Sequence, residues 1–513
     1  MDKKSGVYYE LTDNSLRVGG SSPFAGIVPM YTVKGDLGKL IKVTARDYKE
    51  KLGFDLDYNP NYYGLDRMLA SVASLEVLRC NVGSTVAYKI WGSDGVPVEA
   101  TDFSSADEVA FNAGNNSFWV SCNSSGTWGN NISVYFTRRE DSSIDSYIYT
   151  LHCYSVTSGV ASLIGDYDFS LSEDSDLYYQ KVSFGDFVFG INGDILSDPA
   201  FFEVPSNLLN ESYTLFPGSN GSELSDPLSI SSFFSAIDGS SANVVVMNGF
   251  VSLPLSDKPL LKSIGSYCGK QDRSVFFDAP FTKDPVTGIL RANDDLFSWS
   301  QSLLDDSVGQ YWQVASVPDQ VKVNGKLILI QPSVHLFLIY AKMFATYGHV
   351  NYPPAGESYG SVSVNSLVEN DFYLHGDALK TNRINYLTSY SSGVCMWEYR
   401  TLYSKGNSDL SYANTPFILR DLSGRLTSFL KRFVFRYSTP VDLLNIHSGL
   451  DSILGSFLRR FFLVNYTLRV PTFEEAQAAG RELDIEIEVA VINSADVITL
   501  KVTLQNAANL RAA

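Results

Sequence analysis

The side chains that could carry chemistry in this 513-residue chain are few and scattered. The five histidines (His152, His335, His349, His375, His447) form no His-Glu-x-x-His pair, nucleophile elbow or Cys–His signature. His375 beside Asp371 and Asp377 is the one acid–base cluster, and a solvated loop is its simpler account. The glycine-rich run Phe216-Pro217-Gly218-Ser219-Asn220-Gly221-Ser222 lacks the strand, lysine and helix that a phosphate cradle needs. Asp278 ends an apolar strand just before Pro280, where an aspartate ordinarily caps a turn. Cys80, Cys122, Cys153, Cys268 and Cys395 lie far apart with no C-x-x-C spacing, so reduced buried thiols are expected rather than disulfides or a zinc site. These patterns predict no enzyme, no catalytic residue, no cofactor and no metal.

What remains is a chain built to pack and to associate. Its length allows two to four domains, and 13% aromatic content with 61 Tyr and Phe residues is globular and rich in interface-forming side chains. The net charge of −17 argues against a general nucleic-acid binder. The N-terminal Met1-Asp2-Lys3-Lys4-Ser5-Gly6 has no apolar stretch behind it, and no apolar run is long enough to span a bilayer. A soluble protein made in the cytoplasm is expected.

Taken in order, residues 1–20 read as an arm, with a short alternating strand from Gly6 to Leu11 and a flexible exit through Gly19-Gly20. A first α/β segment (21–81) holds a short helix stopped by Gly53 and a second helix over 66–78, with Leu69, Val72, Ala73 and Leu75 on one face. From 82 to 204, turn residues recur every eight to twelve positions between alternating strands such as 117–120 and 132–136, which predicts an inserted β-sandwich or barrel. Residues 205–405 form the main α/β body, where 244–247 and 274–280 read as strands buried on both faces. Its centre, 336–402, reads as a helix stopped by Gly348, a turn at Pro353-Pro354-Ala355-Gly356, a second helical run around Leu379, Ile384 and Leu387, and a buried strand over 393–402.

The last segment (406–513) carries two helices started by Thr415-Pro416 and Thr439-Pro440. Their apolar stripes are Leu419, Leu422, Leu426, Phe429, Phe433 and then Leu443, Ile446, Leu450, Ile453, Phe457, Phe461. Strands over 463–470, 483–491 and 497–504 follow, the middle one alternating Leu483, Ile485, Ile487, Val489 and Val491 with acidic residues. The fold class is thus α+β and multidomain: an α/β core, an inserted all-β domain and a C-terminal two-helix plus small-sheet domain.

Several of these stretches, in this order, resemble the tail sheath proteins of contractile bacteriophages. The arm resembles their opening Pro-Gly-Val-Tyr strand, with Ser5 in place of the proline. Ser125-Gly126-Thr127-Trp128-Gly129-Asn130-Asn131-Ile132-Ser133-Val134 is similar to their Pro-Gly-x-Trp-Gly-Asn-x-Ile-x-Val segment, with Ser125 in place of the proline. The strand ending Asp278-Ala279-Pro280, the Pro354-Ala355-Gly356 turn and Trp397-Glu398-Tyr399-Arg400-Thr401-Leu402 have counterparts as well, with Glu398 where the family has glycine.

The resemblance implies a non-enzymatic subunit of a helical sheath of stacked rings around an inner tail tube. Such a sheath is assembled in the host cytoplasm, becomes part of the virion, and contracts to drive the tube through the cell envelope. Baseplate, tube and tail terminator proteins would be its partners, with no direct nucleic-acid contact and no membrane insertion. It further implies inter-subunit strand exchange through Val7, Tyr9, Leu11, Ile485, Ile487, Val489, Ile498, Leu500 and Val502. Lys431, Arg432, Arg436, Arg459 and Arg460 would face the tube. Between 415 and 470, eight basic residues stand against three acidic ones. Complementation of two helix ends accounts for four of the basic residues equally well. A phage-derived injection particle or bacteriocin sheath fits the same residues, and from another class a β-sandwich adhesin or carbohydrate-processing protein fits the aromatic content.

Overall fold

The computed structural model describes residues 24–492 apart from 93, 99–101, 114–116, 142–145, 158, 193–203, 223–232, 251–257, 281–293, 369–373, 391–392, 406–407, 437 and 480–481. Val7, Tyr9, Leu11, Ile498, Leu500, Val502 and Asp371 lie outside the described residues. The described residues gather into two compact units, one of 24–350 with 354–404 and the other of 351–353 with 405–492.

The larger unit opens with β1 (Gly26–Met30), β2 (Leu40–Val43), α1 (Tyr48–Leu52), α2 (Tyr62–Leu69) and β3 (Leu75–Arg79). The helix expected over 66–78 is corrected here. It ends at Leu69, and Leu75–Arg79 is a strand paired parallel to β1. Ser71 and Ser74 flank the break, and the β-branched and Leu-rich run after them satisfies a strand buried on both faces as well as it does a helix stripe.

The chain then leaves for the insert: β4 (Tyr88–Gly92), α3 (Ala106–Asn112), β5 (Ser117–Cys122), β6 (Ile132–Asp141), β7 (Ser146–Thr157), β8 (Val160–Ser170), β9 (Phe187–Asn192) and β10 (Tyr213–Thr214). These form two sheets, β4-β5-β9 and β10-β6-β7-β8. Between them lies an aromatic core that includes Trp91, Phe118, Phe136, Tyr149, Phe169 and Phe189. Residues 205–222, read from sequence as the start of the main body, instead close the insert. Ser222, Ser219 and Phe216 pair back onto Val82, Thr85 and Tyr88.

On its return the chain adds β11 (Val244–Val246), α4 (Lys258–Gly269), β12 (Ser274–Asp278), α5 (Asp294–Ser302), β13 (Trp312–Ser316), the hairpin β14 (Asp319–Val323) and β15 (Lys326–Ile330), and α6 (Pro332–Tyr347). After these come α7 (Gly356–Tyr359), β16 (Ser361–Val362), α8 (Gly376–Thr381), β17 (Ile384–Tyr390) and β18 (Gly393–Trp397). The main sheet has nine strands in the order β16-β18-β17-β13-β12-β11-β1-β3-β2 and takes none from the insert. From β17 to β3 every neighbour is parallel, and the edges are antiparallel. β1, β11 and β13 are buried throughout, as strands covered on both faces must be.

The predicted helix over 336–344 is α6, stopped by Gly348 at φ 72° with its N–H bonded to the Phe344 carbonyl. The second helical run is corrected. Only Gly376–Thr381 is helical, and Ile384–Tyr390 is strand β17, because Arg383 takes a positive φ (62°) that breaks the helix between Leu379 and Ile384. The last strand ends at Trp397, where Glu398 adopts φ 65°.

Candidate assembly surfaces

The smaller unit holds α9 (Asn414–Leu430), α10 (Pro440–Arg459), β19 (Leu463–Arg469), α11 (Phe473–Ala478) and β20 (Glu486–Val491). Thr439 caps α10 by accepting the Asp442 N–H at 3.1 Å, with Pro440 in the first turn where no donor is lost. The other expected cap is shifted: α9 starts at Asn414, and Thr415 lies inside it. Leu443, Ile446, Leu450, Leu454 and Phe457 are the buried face of α10. Gly449 leaves room for the Phe429 ring, whose nearest atom would lie 2.0 Å from an added Cβ. Phe461, expected at the end of this stripe, is instead exposed, because the helix has already ended and its φ is 58°.

Lys431 and Arg432 follow the last turn of α9, and Arg459 and Arg460 end α10, all four solvent-exposed. Among the described residues none of the four forms an ion pair. Arg436 is exposed and lies 3.8 Å from Asp442. The other basic residues of this segment are engaged: Arg425 with Asp421 at 2.8 Å, Arg469 with Glu475 and Glu486, and buried Arg420 over the Phe417 ring. Both helix-end complementation and a tube-facing basic surface are consistent with four exposed cations at helix C-termini.

β19 and β20 pair antiparallel, with Leu468 opposite Ile487 and Tyr466 opposite Val489. Ile485, Ile487 and Val489 are half-buried and alternate with exposed Asp484, Glu486 and Glu488, so one face is dry and the other wet. Ile485 precedes the strand itself. Among the described residues the far edge of β20 has no neighbouring strand. Helix α11, between the two strands, was missed. Its signal was present as Thr472 and Glu475, which form a reciprocal capping box.

The Trp-Gly-Asn segment works as the joint of the insert. Gly126 takes φ 129° with the Val33 carbonyl where a Cβ would stand, at 2.0 Å. Thr127 N–H donates to Asn220 Oδ1 at 2.8 Å, Trp128 Nε1 to the Ser124 carbonyl at 3.0 Å, and Gly218 N–H to Asn130 Oδ1 at 2.8 Å. The glycine-rich loop 216–222 is therefore the outgoing strand of this joint. Buried Arg79 ties it to the main sheet by donating from Nη1 to the Ser125 carbonyl at 2.7 Å, and Lys34 pairs with Asp186.

The side chains that could be mistaken for chemistry are not gathered into one site. Asp278 accepts from Gly249 N–H (2.8 Å), Ser333 N–H (2.7 Å) and Ser333 Oγ (2.9 Å), and so anchors the start of α6. Burial raises its pKa to about 6. His335, fully buried and 3.7 Å from Asp319, is held down to about 4 by burial. His375 is exposed. The five cysteines are free and buried. Among the described residues no group of three His, Cys, Asp or Glu side chains could hold a metal ion, and no helix is long and apolar enough to cross a membrane.

No family model and no curated protein matches the sequence. Solved structures do. The sheath tail protein of Listeria innocua superposes with a TM-score of 0.57 at 12% identity, over 92% of this chain and 96% of that one. That of Desulfitobacterium hafniense does so with a TM-score of 0.54 at 13% identity, over 92% and 97%. The helical sheath of the anti-feeding prophage in its contracted state gives a TM-score of 0.48 at 13% identity. Over 92% of its length, the chain has the fold of the sheath tail proteins.

Proposed function

We propose that this chain is the structural subunit of a contractile sheath, a helical tube of many copies around an inner tube. The observation that carries the reading is that the likeness to two sheath tail proteins spans 92% of this chain and nearly all of each of theirs. That coverage is too broad to come from one shared sheet. Heterologous contacts that do not close generate such filaments, and a bistable packing held in its metastable extended state stores the work of contraction without a nucleotide.

In this reading the open edge of β20, with Ile485, Ile487 and Val489, and the terminal segments carrying Val7, Tyr9, Leu11, Ile498, Leu500 and Val502 exchange strands between subunits. Lys431, Arg432, Arg436, Arg459 and Arg460 meet the inner tube through screened contacts, each weak enough to be released on contraction. Baseplate and tail terminator proteins bound the tube at its ends. The particle is a phage virion or a phage-derived injection device, assembled in the host cytoplasm.

Negative-stain microscopy of the purified protein tests the proposal. Long tubes or striated polysheath are expected, and deletion of residues 1–20 should leave a folded monomer that forms none. A small particle at every concentration and salt would overturn the sheath reading, and normal tubes from the truncated protein would overturn the role of the arm.

A further inference from the structure

The outer face of the insert holds one group of side chains that the assembly surfaces leave unused. In β6, Val134 and Phe136 point into the sandwich core, so Tyr135, Thr137 and Arg139 point outward. The registers place His152 of β7 opposite Tyr135 and Thr150 opposite Thr137. Asp166 and Asp168 of β8 lie opposite His152 and Thr150. Across these three strands, His152 Nδ1 lies 2.7 Å from Asp166 Oδ1, and His152 Nε2 lies 2.8 Å from Thr137 Oγ1.

The partners fix the tautomer. A carboxylate only accepts, so Nδ1 carries the proton, and the Nε2 lone pair of the neutral ring accepts the Thr137 hydroxyl. The Tyr135 ring stacks on the imidazole, centroids 4.3 Å apart and planes 19° apart, and holds it from the side. A hydroxyl bonded to a base that a carboxylate orients is the arrangement of an activated nucleophile. A cation stands on the same face. Arg139 donates from Nη2 to Asp168 at 2.6 Å, and Asp168 also accepts the hydroxyl of Thr150, across from Thr137, at 2.7 Å. The guanidinium is thereby held beside Thr137 with N–H groups to spare for a developing oxyanion. Solvent reaches the group: Thr137 is half-buried, and the Asp166 and Arg139 side chains are 45% and 59% exposed.

We infer that the outer face of the insert is an acyl-transfer site, with Thr137 as nucleophile, His152 as base, Asp166 as its orienting group and Arg139 as oxyanion donor. Its substrate class is a neutral ester of a small acyl group. An open face has no walls to hold a long acyl chain and leaves room for an alcohol of any size, while Asp166 and Asp168 repel anionic esters. Thr137 Oγ attacks the ester carbonyl carbon as its proton passes to His152 Nε2, and the carbonyl oxygen takes up negative charge facing Arg139. The carbon–oxygen bond to the alcohol then breaks, and the alcohol leaves with the proton from Nε2. Water attacks the acyl-Thr137 ester and gives a proton to Nε2, and the acid departs as Oγ recovers that proton. Nothing is oxidised or reduced. The inference stands apart from the sheath reading, since every group lies within one subunit.

The test is hydrolysis of p-nitrophenyl acetate by the purified chain, with mass spectrometry of peptides from the quenched reaction. Hydrolysis above the buffer rate and an acetyl group on Thr137 are expected. Thr137→Val and His152→Gln should each lower kcat/KM at least about tenfold. Thr137→Ser keeps the hydroxyl and removes a crowding methyl, so it should keep or raise the rate, and it decides the matter if Thr137→Val fails to fold. Asp166→Asn should lower kcat with KM unchanged, as loss of an orienting carboxylate does. A buffer-level rate, a rate unchanged by Thr137→Val and His152→Gln, an inactive Thr137→Ser variant, or acetyl found only on other residues would each overturn the inference and leave the sheath reading untouched.

Discussion

Replacing Asp278 by asparagine should change how stability depends on pH, with a sign that follows from two buried groups. The Asp278 carboxyl sits under the first turn of α6 with its pKa raised to about 6 by burial, against about 3.9 in an unfolded chain. Two residues past its partner Ser333, His335 is fully enclosed with its pKa lowered to about 4, chiefly by burial and against the attraction of Asp319, where the unfolded value is about 6.5. For Asp278 the stabilising proton is held in the folded state, so its contribution is full below pH 4 and is lost as pH rises to 6. For His335 the folded state is neutral, so stability is lost as pH falls from about 6.5 toward 4. Between pH 4 and 6 the unfolded chain carries one proton on His335 and the folded chain one on Asp278, and the two slopes cancel.

Asp278→Asn removes one of them. The variant should gain stability relative to the unaltered protein by about 1.4 kcal/mol per pH unit, or about 3 kcal/mol from pH 4 to 6. The residue is only half-buried, so solvent reaching its carboxyl makes this the upper limit. Urea unfolding below the assembly concentration, followed by tryptophan fluorescence at pH 4, 5 and 6, reads the difference directly. Because all other carboxylates are common to both proteins, parallel stability curves would refute the reasoning.

Three further outcomes follow from single observations. Gly126→Ala places a methyl against the Val33 carbonyl at a left-handed backbone position, so the joint of the insert should lose about 3 kcal/mol, read as accelerated proteolysis near residues 82–88. Leu450→Ala, at a fully buried position on α10, should cost the smaller unit about 2–5 kcal/mol in urea unfolding. Reversing the exposed charges of Lys431 and Arg432 to glutamate should leave folding within about 0.5 kcal/mol while impairing assembly on the inner tube at low salt; unchanged assembly would leave only helix-end complementation for these residues.

Much of the fold was legible because its devices are local. Gly348 stops α6, Pro440 and Thr439 start α10, and the acid/apolar alternation from Leu483 to Val491 lays out a half-buried strand. The misreadings share a cause. Leu75–Arg79 and Ile384–Tyr390 are largely buried strands whose apolar residues (Leu75, Val77, Leu78 and Ile384, Tyr386, Leu387) do not alternate strictly, so no two-residue period declares them. The closing strand of the insert was likewise hidden, because the pairing of Val82 with Ser222 spans 140 residues. Of the candidate assembly surfaces, the basic cluster and the β20 alternation could be read, whereas Phe461 was placed on the apolar stripe of the second helix.

That last error is instructive, since a glycine-type backbone position filled by another residue is invisible in the sequence. Three such positions are Glu398 at φ 65°, Phe435 at φ 66° and Phe461 at φ 58°. At Glu398 the sheath pattern has glycine, and the strand still turns there, so the departure changes the residue and keeps the backbone. The Glu398 side chain is only 13% exposed and lies 3.5 Å from the Arg400 guanidinium, also enclosed, so the chain itself supplies the interaction that offsets the strain. For the two phenylalanines the same strain comes with exposed rings, and no packing by the described residues offsets it. Strain whose compensation lies inside the fold belongs to folding.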